Sequence, residues 1–498
     1  MNTFLDNVIL ALDPASLGMA AIGVLAGIVI GALPGLTATM GVTLLLPFTL
    51  SLDLTPQGSM AMLIGIYVGA IYGGSITAVL ICTPGTPASA ATTLDGFPMT
   101  QRGEAGRALT LSTLASFIGG LTSALIMTFL SPYLSRFGLR FGSYEYFSLA
   151  VFGLSMIVTI SGNDPVKGIL AGIFGLLIAT VGVDPTAGVP RFWFGQYELL
   201  DGVGFIPVLI GLFAFAQVFE EITQRVSEKV AIPKLQFSFP SLLEISQYWF
   251  TYLRSSLIGT FVGSLPGAGC DIASFVSYNE AKRAARKDDC FGQGDPKGVI
   301  ASEAANNAAT GGAMIPMLTL GVPGDAVTAV MLSALTIQGL QPGPSLFRDH
   351  PETVYPIFGC MIFANIVMVI AGLSAARFLA RLITLDKSIM LPIICVLSVI
   401  GAYSIKGSMF DVGTAIVMGG VGLGMRRGGF PASPVVLALI LGPMAERNLG
   451  QAMLLPDFNL MNFLTRKISA VMLVLAFGTV LFGLLKRQPL GETGAARE

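Results

Sequence analysis

Hydrophobic residues run through this chain in long blocks rather than alternating with polar ones. Leu17–Leu33, Ala108–Leu130, Tyr146–Ile160, Gly168–Val183, Val203–Phe219, Pro356–Leu373, Ile389–Tyr403 and Ile468–Leu485 are nearly free of charge. Blocks of this kind approach the length needed to span about 30 Å of hydrocarbon, and the pattern predicts roughly ten to fourteen membrane-inserted helical segments. Glycine and proline break the blocks at places that recur. Gly27-Ile-Val-Ile-Gly31-Ala-Leu33-Pro34-Gly35 returns as Gly259-Thr-Phe-Val-Gly263-Ser-Leu265-Pro266-Gly267. Gly73-Gly74 followed by Thr83-Pro84-Gly85 returns as Gly311-Gly312 followed by Val322-Pro323-Gly324. Paired interruptions of apolar helices are the sequence mark of an internally repeated transporter whose site lies near the bilayer midplane.

Composition sharpens this picture. The chain has 498 residues, 53% hydrophobic and 11% charged, with a mean hydropathy of +0.76. Ordinary globular chains carry about 25% charge, so a soluble domain is excluded. The expected class is an all-α polytopic membrane protein. The self-match places a first repeat at 15–225, a polar linker at 226–244, a second repeat at 245–450, and a C-terminal helix and tail at 451–498. Met1-Asn-Thr-Phe-Leu-Asp6 lacks the basic start of a cleaved signal peptide, so the first helix is expected to stay in the fold. Five cysteines without CxxC spacing suit neither a disulfide framework nor zinc. No P-loop pattern is present, so ATP hydrolysis is not expected. A net charge of −1 gives no footprint for nucleic acid.

Loop charges bear on orientation, because Lys and Arg favour the cytoplasmic side. The basic run Lys282-Arg283-Ala-Ala-Arg286-Lys287 follows the second Leu-Pro-Gly break, whereas Ser51–Gln57 follows the first and carries no basic residue. After the Pro-Gly breaks the bias reverses, with Arg102 and Arg107 in the first half but Arg348 diluted by Asp349 and Glu352 in the second. Equivalent points therefore fall on opposite faces, which predicts inverted-topology repeats with broken or re-entrant helices.

Irregular backbone inside a bilayer is tolerated where it is buried or lines a cavity. The residues at the breaks are thus candidates for binding substrate and coupling ion: Gly35, Thr37, Ser75, Thr83, Gly85, Thr86, Gly267, Asp271, Gly324 and Asp325. Freed carbonyls would suit Na⁺; Asp325 could instead cap the helix that follows it. A second cluster, Glu303, Asn306, Asn307 and Thr310, falls at i, i+3, i+4 and i+7 and would share one helix face, opposite a face of alanine. A carboxylate with two amides is costly in a membrane domain unless something pairs with it; an interhelical hydrogen-bond seam is the alternative. No catalytic residue is assigned. His350 reads as an interfacial loop residue, and Phe192, Trp193 and Phe194 beside Arg191 as an interfacial anchor. Gly267-Ala-Gly269-Cys-Asp271 superficially resembles an intramembrane aspartyl protease motif with the wrong spacing. A passive channel and an intramembrane enzyme are the competing function classes.

Gly31–Phe48, Tyr72–Ile76, Ala91–Pro98, Leu265–Gly269, Phe291–Gly294, Glu303–Asn307, Pro316–Gly324 and Ala334–Pro344 together resemble the large membrane subunit of tripartite tricarboxylate transporters, the TctA type. The resemblance implies a permease of the bacterial inner membrane that works with a small membrane subunit and a periplasmic solute-binding protein. It implies import of citrate-like or other carboxylates on an ion gradient; the repeat pattern itself leads one to expect an elevator-like transporter, with Na⁺ or H⁺ as coupling ion and no other cofactor. The family pattern leads one to expect a Val-Pro-Gly-Asp break in the first half. This chain has Thr83-Pro84-Gly85-Thr86, without the acid.

Overall fold

The computed structural model describes residues 13–33, 35–52, 54–161, 164–223, 242–382 and 387–485. Pro34, most of the expected linker and the tail after Leu485 lie outside them. Helices dominate: α1 (Pro14–Ala32), α2 (Ala38–Ser51), α3 (Pro56–Ile81), α4 (Thr93–Gln101), α5 (Ala105–Gly138), α6 (Ser143–Ser155), α7 (Pro165–Ala179), α8 (Phe205–Thr223), α9 (Trp249–Gly263), α10 (Gly269–Arg283), α11 (Pro296–Leu320), α12 (Ala326–Ile337), α13 (Pro351–Leu382), α14 (Lys387–Ser404), α15 (Met409–Arg427), α16 (Ser433–Met453) and α17 (Lys467–Leu485). Among the described residues, α1, α3, α5, α8 and the stretch Pro351–Ser374 of α13 are long and apolar enough to cross a membrane; α2, α7, α12 and parts of α14 and α17 are shorter apolar helices.

The starts of these helices follow a common local logic. Asp13-Pro14, Thr55-Pro56, Asp164-Pro165 and Asp295-Pro296 each place a capping side chain before a proline at the first helical position. The cap accepts an otherwise orphaned amide, and proline has no amide to lose there. Two sequence expectations need correction. The apolar run Tyr146–Ile160 is not one helix: α6 tightens at its end, Met156 N donating to Gly153 O at 3.2 Å, and a short turn at Ile157–Ile160 follows. The run Val203–Phe219 is helical only from Phe205, and Ile210–Phe215 is wound as a π-helix.

The chain divides into two compact units, Met1–Arg140 with Val203–Gly424, and Phe141–Gly202 with Met425–Glu498. In the second, α16 packs on α6 and α7, and α17 on α6. A two-residue antiparallel ladder, β1 (Gly182–Val183) with β2 (Pro190–Arg191), is fastened by Arg191 to Glu446 and, at 3.1 Å, to Asp184. The amides of Ala187 and Thr186, and then Arg191, hold the Asp184 carboxyl below its ordinary range. The expected anchor residues Phe192 and Phe194, just after β2, are exposed.

The first unit holds both sets of breaks. Glycines on α1 meet the backbone of α3: a β-carbon at Gly27 would strike Ile66 O, at Gly31 Ala70 O, and at Gly73 Ile28 O. On the other side the same is true of Gly259 with Ala305 O, Gly263 with Ala309 O, and Gly312 with Thr260 O. One shift in numbering carries Gly27, Ile28 and Gly31 onto Gly259, Thr260 and Gly263. A second, slightly longer, carries Ile66, Ala70, Gly73, Gly74 and Gly85 onto Ala305, Ala309, Gly312, Ala313 and Gly324. The internal repeat is thus visible contact for contact, with small residues letting helix backbones touch. It also corrects the sequence register by one residue: Gly73 corresponds to Gly312, not Gly311.

Helix directions follow from the same contacts. Ser116, Gly119 and Ser123 of α5 meet Glu303, Ala304 and Gly311 of α11 in ascending order, so these helices run parallel. Gln57 and Tyr72 of α3 meet Thr353 and Gly372 of α13, also parallel. Within the pair α5 and α13, Gly120 meets Asn365 whereas Thr113 meets Gly372, an antiparallel crossing.

Candidate functional site

The breaks at Gly85 and Gly324 are closed by glycines that are needed for space rather than for backbone angle. Neither Gly85 nor Gly324 has a positive φ. A β-carbon on Gly85 would collide with Gly31 O and lie 2.9 Å from Gly74 Cα. On Gly324 it would lie 2.5 Å from Ala313 Cα and 2.7 Å from Gly263 O. These are corresponding atoms in the two repeats. The backbones are tied as well, Gly85 N donating to Gly74 O at 3.2 Å and Gly267 N to Gly324 O at 2.6 Å. Gly35 and Gly267, at the Leu-Pro-Gly breaks, do have left-handed backbone, with φ of 94° and 81°. Glycine adopts these values without the clash other residues meet.

The segments after the Pro-Gly breaks cross between repeats. The 3-10 turn Pro87–Ser89 of the first packs on α10 and α11 of the second, and α12 of the second packs on α2 and α3 of the first. This exchange gathers the polar groups. Glu303 is fully buried and its carboxylate accepts from three hydroxyls: Ser75 Oγ at 2.5 Å, Ser116 Oγ at 3.1 Å, and Thr92 Oγ1. No Lys or Arg pairs with it among the described residues. Ser75 continues to Ser89 at 3.5 Å and Ser89 to Thr86 at 3.2 Å, linking Glu303 to the first Pro-Gly break.

The rest of the polar stripe is buried on all sides, since α11 is enclosed from Gly298 to Thr319. Asn307 Nδ2 donates to Glu303 O at 3.2 Å, leaving Oδ1 without a partner. Thr310 Oγ1 donates to Asn307 O at 2.6 Å, which is a structural use. Asn306 is fully buried, and neither its Oδ1 nor its Nδ2 has a partner. An unpaired buried amide is costly, by about 1–3 kcal/mol.

At the second Pro-Gly break, Asp325 caps α12: its Oδ1 accepts from Thr328 N and from Thr328 Oγ1, both at 2.8 Å. Its Oδ2 accepts from the hydroxyl of Tyr67, which also lies 3.3 Å from Cys270 Sγ. Three other sequence candidates, Thr37, Thr83 and Gly35, sit apart from this centre. Thr37 caps α2 through Met40 N at 3.2 Å. Thr83 is exposed; Asp271 has an exposed surface but lies near enough to Asp325 for the two carboxylates to interact. Gly35 faces Gln217 rather than another break. His350 is exposed beside Glu352.

Sequence reading missed Tyr67, Thr92, Ser116 and Asp95. Asp95 is buried at α4 and accepts from the amides of Gly292, Gly294 and Asp295, each at 2.8 Å, and from Tyr278 Oη at 2.9 Å. It pins the loop between α10 and α11 to the segment that follows the first break. An acid in the otherwise apolar string Thr93-Leu-Asp-Gly-Phe97 was the available signal.

The family model "Tripartite tricarboxylate transporter TctA family" matches residues 17–437. An uncharacterised 52.8 kDa protein of the TAR-I ttuC' 3' region of Agrobacterium vitis is 36% identical over 475 residues, 95% of this chain and 94% of that protein. An uncharacterised protein of the TAR-II ttuC' 3' region of the same organism is 35% identical over 227 residues, 46% of this chain and 94% of that protein. No solved structure matches. With several helices able to cross a bilayer and a match over nearly its whole length, the chain belongs to the tripartite tricarboxylate transporter TctA family, a family of membrane transporters rather than enzymes.

Proposed function

We propose that the protein is the ion-coupled permease of a tripartite system in the bacterial inner membrane. It imports carboxylates handed over by a periplasmic solute-binding protein and works with a small membrane subunit. The observation that carries this reading is the contact-for-contact repetition of the broken helices around a buried polar centre. Paired breaks of this kind form substrate and ion sites at the interface of repeats.

The repeats are inverted in this reading. Antiparallel packing of α5 on α13, which hold equivalent places, supports it, as does the parallel packing of α5 on α11 and of α3 on α13. The loops agree. Gly294, eight residues or fewer past the basic run's end at Lys287, lies beside Arg102, a β-carbon there falling 3.3 Å from the guanidinium. Gln57, after the first non-basic loop, bonds to Thr353 beside the acidic one at 3.3 Å. Basic loops thus gather with basic, as the cytoplasmic preference of Lys and Arg requires. An elevator-like movement is supported by the division of both repeats between the two compact units, with all the polar centre in one.

Glu303 is the seat of the coupling cation, H⁺ or Na⁺. A buried carboxylate met only by hydroxyls is stable in apolar surroundings when such a cation accompanies it. Uptake of labelled carboxylates into proteoliposomes tests the whole reading, with the small subunit and the binding protein supplied and with Na⁺ or H⁺ gradients applied in turn. Accumulation above equilibrium under one gradient is expected. Equilibration without a gradient would make the protein a channel.

A further inference from the structure

The two Pro-Gly breaks are equivalent in backbone but not in what fills them. The shift that carries Gly85 onto Gly324 carries Thr86 onto Asp325, Ser89 onto Thr328 and Tyr67 onto Asn306. At the second break the polar set is complete. Asp325 supplies a carboxylate, Thr328 donates to it from below at 2.8 Å, and Tyr67 reaches across from the other repeat to donate to its second oxygen.

At the first break the hydroxyls are in place, Thr86 with Ser89 at 3.2 Å, but the acid is missing from the sequence. The residue in Tyr67's position is Asn306, on α11, which packs on the Pro87–Ser89 turn. Its amide is fully buried and unpartnered at both atoms. The counterparts of the groups that hold Asp325 are thus present at the first break, and no carboxylate of the chain bonds directly to Asn306, Thr86 or Ser89 among the described residues; Glu303 reaches them only through Ser75. Asp325 is an internal copy of what that set accepts.

We propose that a carboxylate group of the substrate is held at the first break between the Asn306 amide and the hydroxyls of Thr86 and Ser89, in the place that Asp325's own carboxylate takes at the second. This rests on the reading of the protein as a carboxylate permease and adds where one carboxylate goes and which side chain receives it. It also makes the repeats unequal. The second break is closed by the protein itself, and the first is closed by the cargo. Glu303, joined to Thr86 through Ser75 and Ser89, then has a second negative group brought towards it, which is why binding and cation uptake would go together.

The test uses the full-length protein in proteoliposomes with its partner proteins, and citrate, tartrate and succinate as probes. Asn306→Leu removes the amide at similar size, and Thr86→Asp builds into the first break the carboxylate that the second already has. Both should lower uptake of whichever probe the wild type takes by about tenfold or more, the loss expected for a hydrogen bond to a charged group. Thr86→Ser keeps the hydroxyl and should lose far less uptake than Thr86→Asp. Melting of the purified protein separates binding from structure. Asn306→Leu relieves an unpaired buried amide, so its melting temperature should be unchanged or higher without ligand, and the rise that the probe gives the wild type should vanish. Wild-type uptake by Asn306→Leu or Thr86→Asp would overturn the proposal, as would an Asn306→Leu protein that melts several degrees lower and so used the amide for packing. If the wild type takes up none of the three probes under any gradient, the permease reading falls first and this site falls with it.

Discussion

The first and second repeats build their breaks from the same backbone parts and finish them with different side chains. Glycine contacts agree pair by pair, from Gly27 with Ile66 against Gly259 with Ala305, to Gly85 with Gly31 against Gly324 with Gly263. The polar groups do not agree: Thr86 stands against Asp325, Asn306 against Tyr67, and Glu303 against the apolar Ile64. Close backbone packing tolerates almost no variation, because an added β-carbon meets main chain that cannot move aside. Side chains at the centre are free to diverge. What the two repeats share is scaffold, and where they differ is the polar centre proposed as the site.

The glycines give the largest expected effect. Gly85→Val and Gly324→Val should each abolish uptake, since both drive carbon into backbone oxygen, at a cost of about 3 kcal/mol or more. Gly339→Val should be milder. It has a φ of 79° but nothing within 4 Å of a β-carbon, so it meets strain without collision. Uptake measured beside membrane insertion distinguishes lost function from lost folding. Normal uptake by both break variants would remove the site from the breaks altogether.

Asp95→Ala comes next, because it strands the buried amides of Gly294 and Asp295 as well as the more exposed one of Gly292, and should cost about 3 kcal/mol. The first repeat has no second copy of this tie, Ala334 standing in the corresponding place of the other. Thermal unfolding that left the variant as stable as the wild type would mean the loop is held by other contacts. Glu303→Gln should insert and melt normally while ion-driven accumulation fails, and Asn307→Ala should weaken uptake less. Expression loss with unchanged specific uptake would make the stripe a packing seam. Tyr67→Phe is expected to be the smallest, about 1 kcal/mol of stability from the lost hydroxyl, with reduced but measurable uptake. A loss of uptake as complete as that of Asn306→Leu would erase the distinction between the two breaks.

The scaffold was the legible part of the sequence. Proline and glycine are read by their own backbone chemistry, so Leu33-Pro34-Gly35 and Val322-Pro323-Gly324 announced the breaks without any knowledge of neighbours. The cap at Asp325 was legible for the same local reason. Doubled glycines defeated the register: Gly73-Gly74 can be laid on Gly311-Gly312 or one step further, and only the contact of Gly73 with Ile28 and of Gly312 with Thr260 decides. The polar centre was legible only in part. Glu303 and its amides stood out as a periodic stripe, yet their partners Ser75, Thr92 and Ser116 come from three different segments, and no local spacing relates these. Tyr67 lies in an apolar helix and resembles packing until Asp325 is seen beside it. Asp95 was passed over because what it binds, a row of main-chain amides, has no side-chain signature.

The proposed reading turns one copy over relative to the other, as the loop charges and the antiparallel crossing of α5 and α13 suggest. Single cysteines in place of Leu52 and Lys287, both exposed at the ends of corresponding segments, report it directly when a membrane-impermeant maleimide is applied to intact and then to opened cells in a background without the native cysteines. Labelling of Leu52→Cys from outside, with Lys287→Cys reached only after opening, is the predicted result; labelling of both from the same side would contradict the inverted repeat.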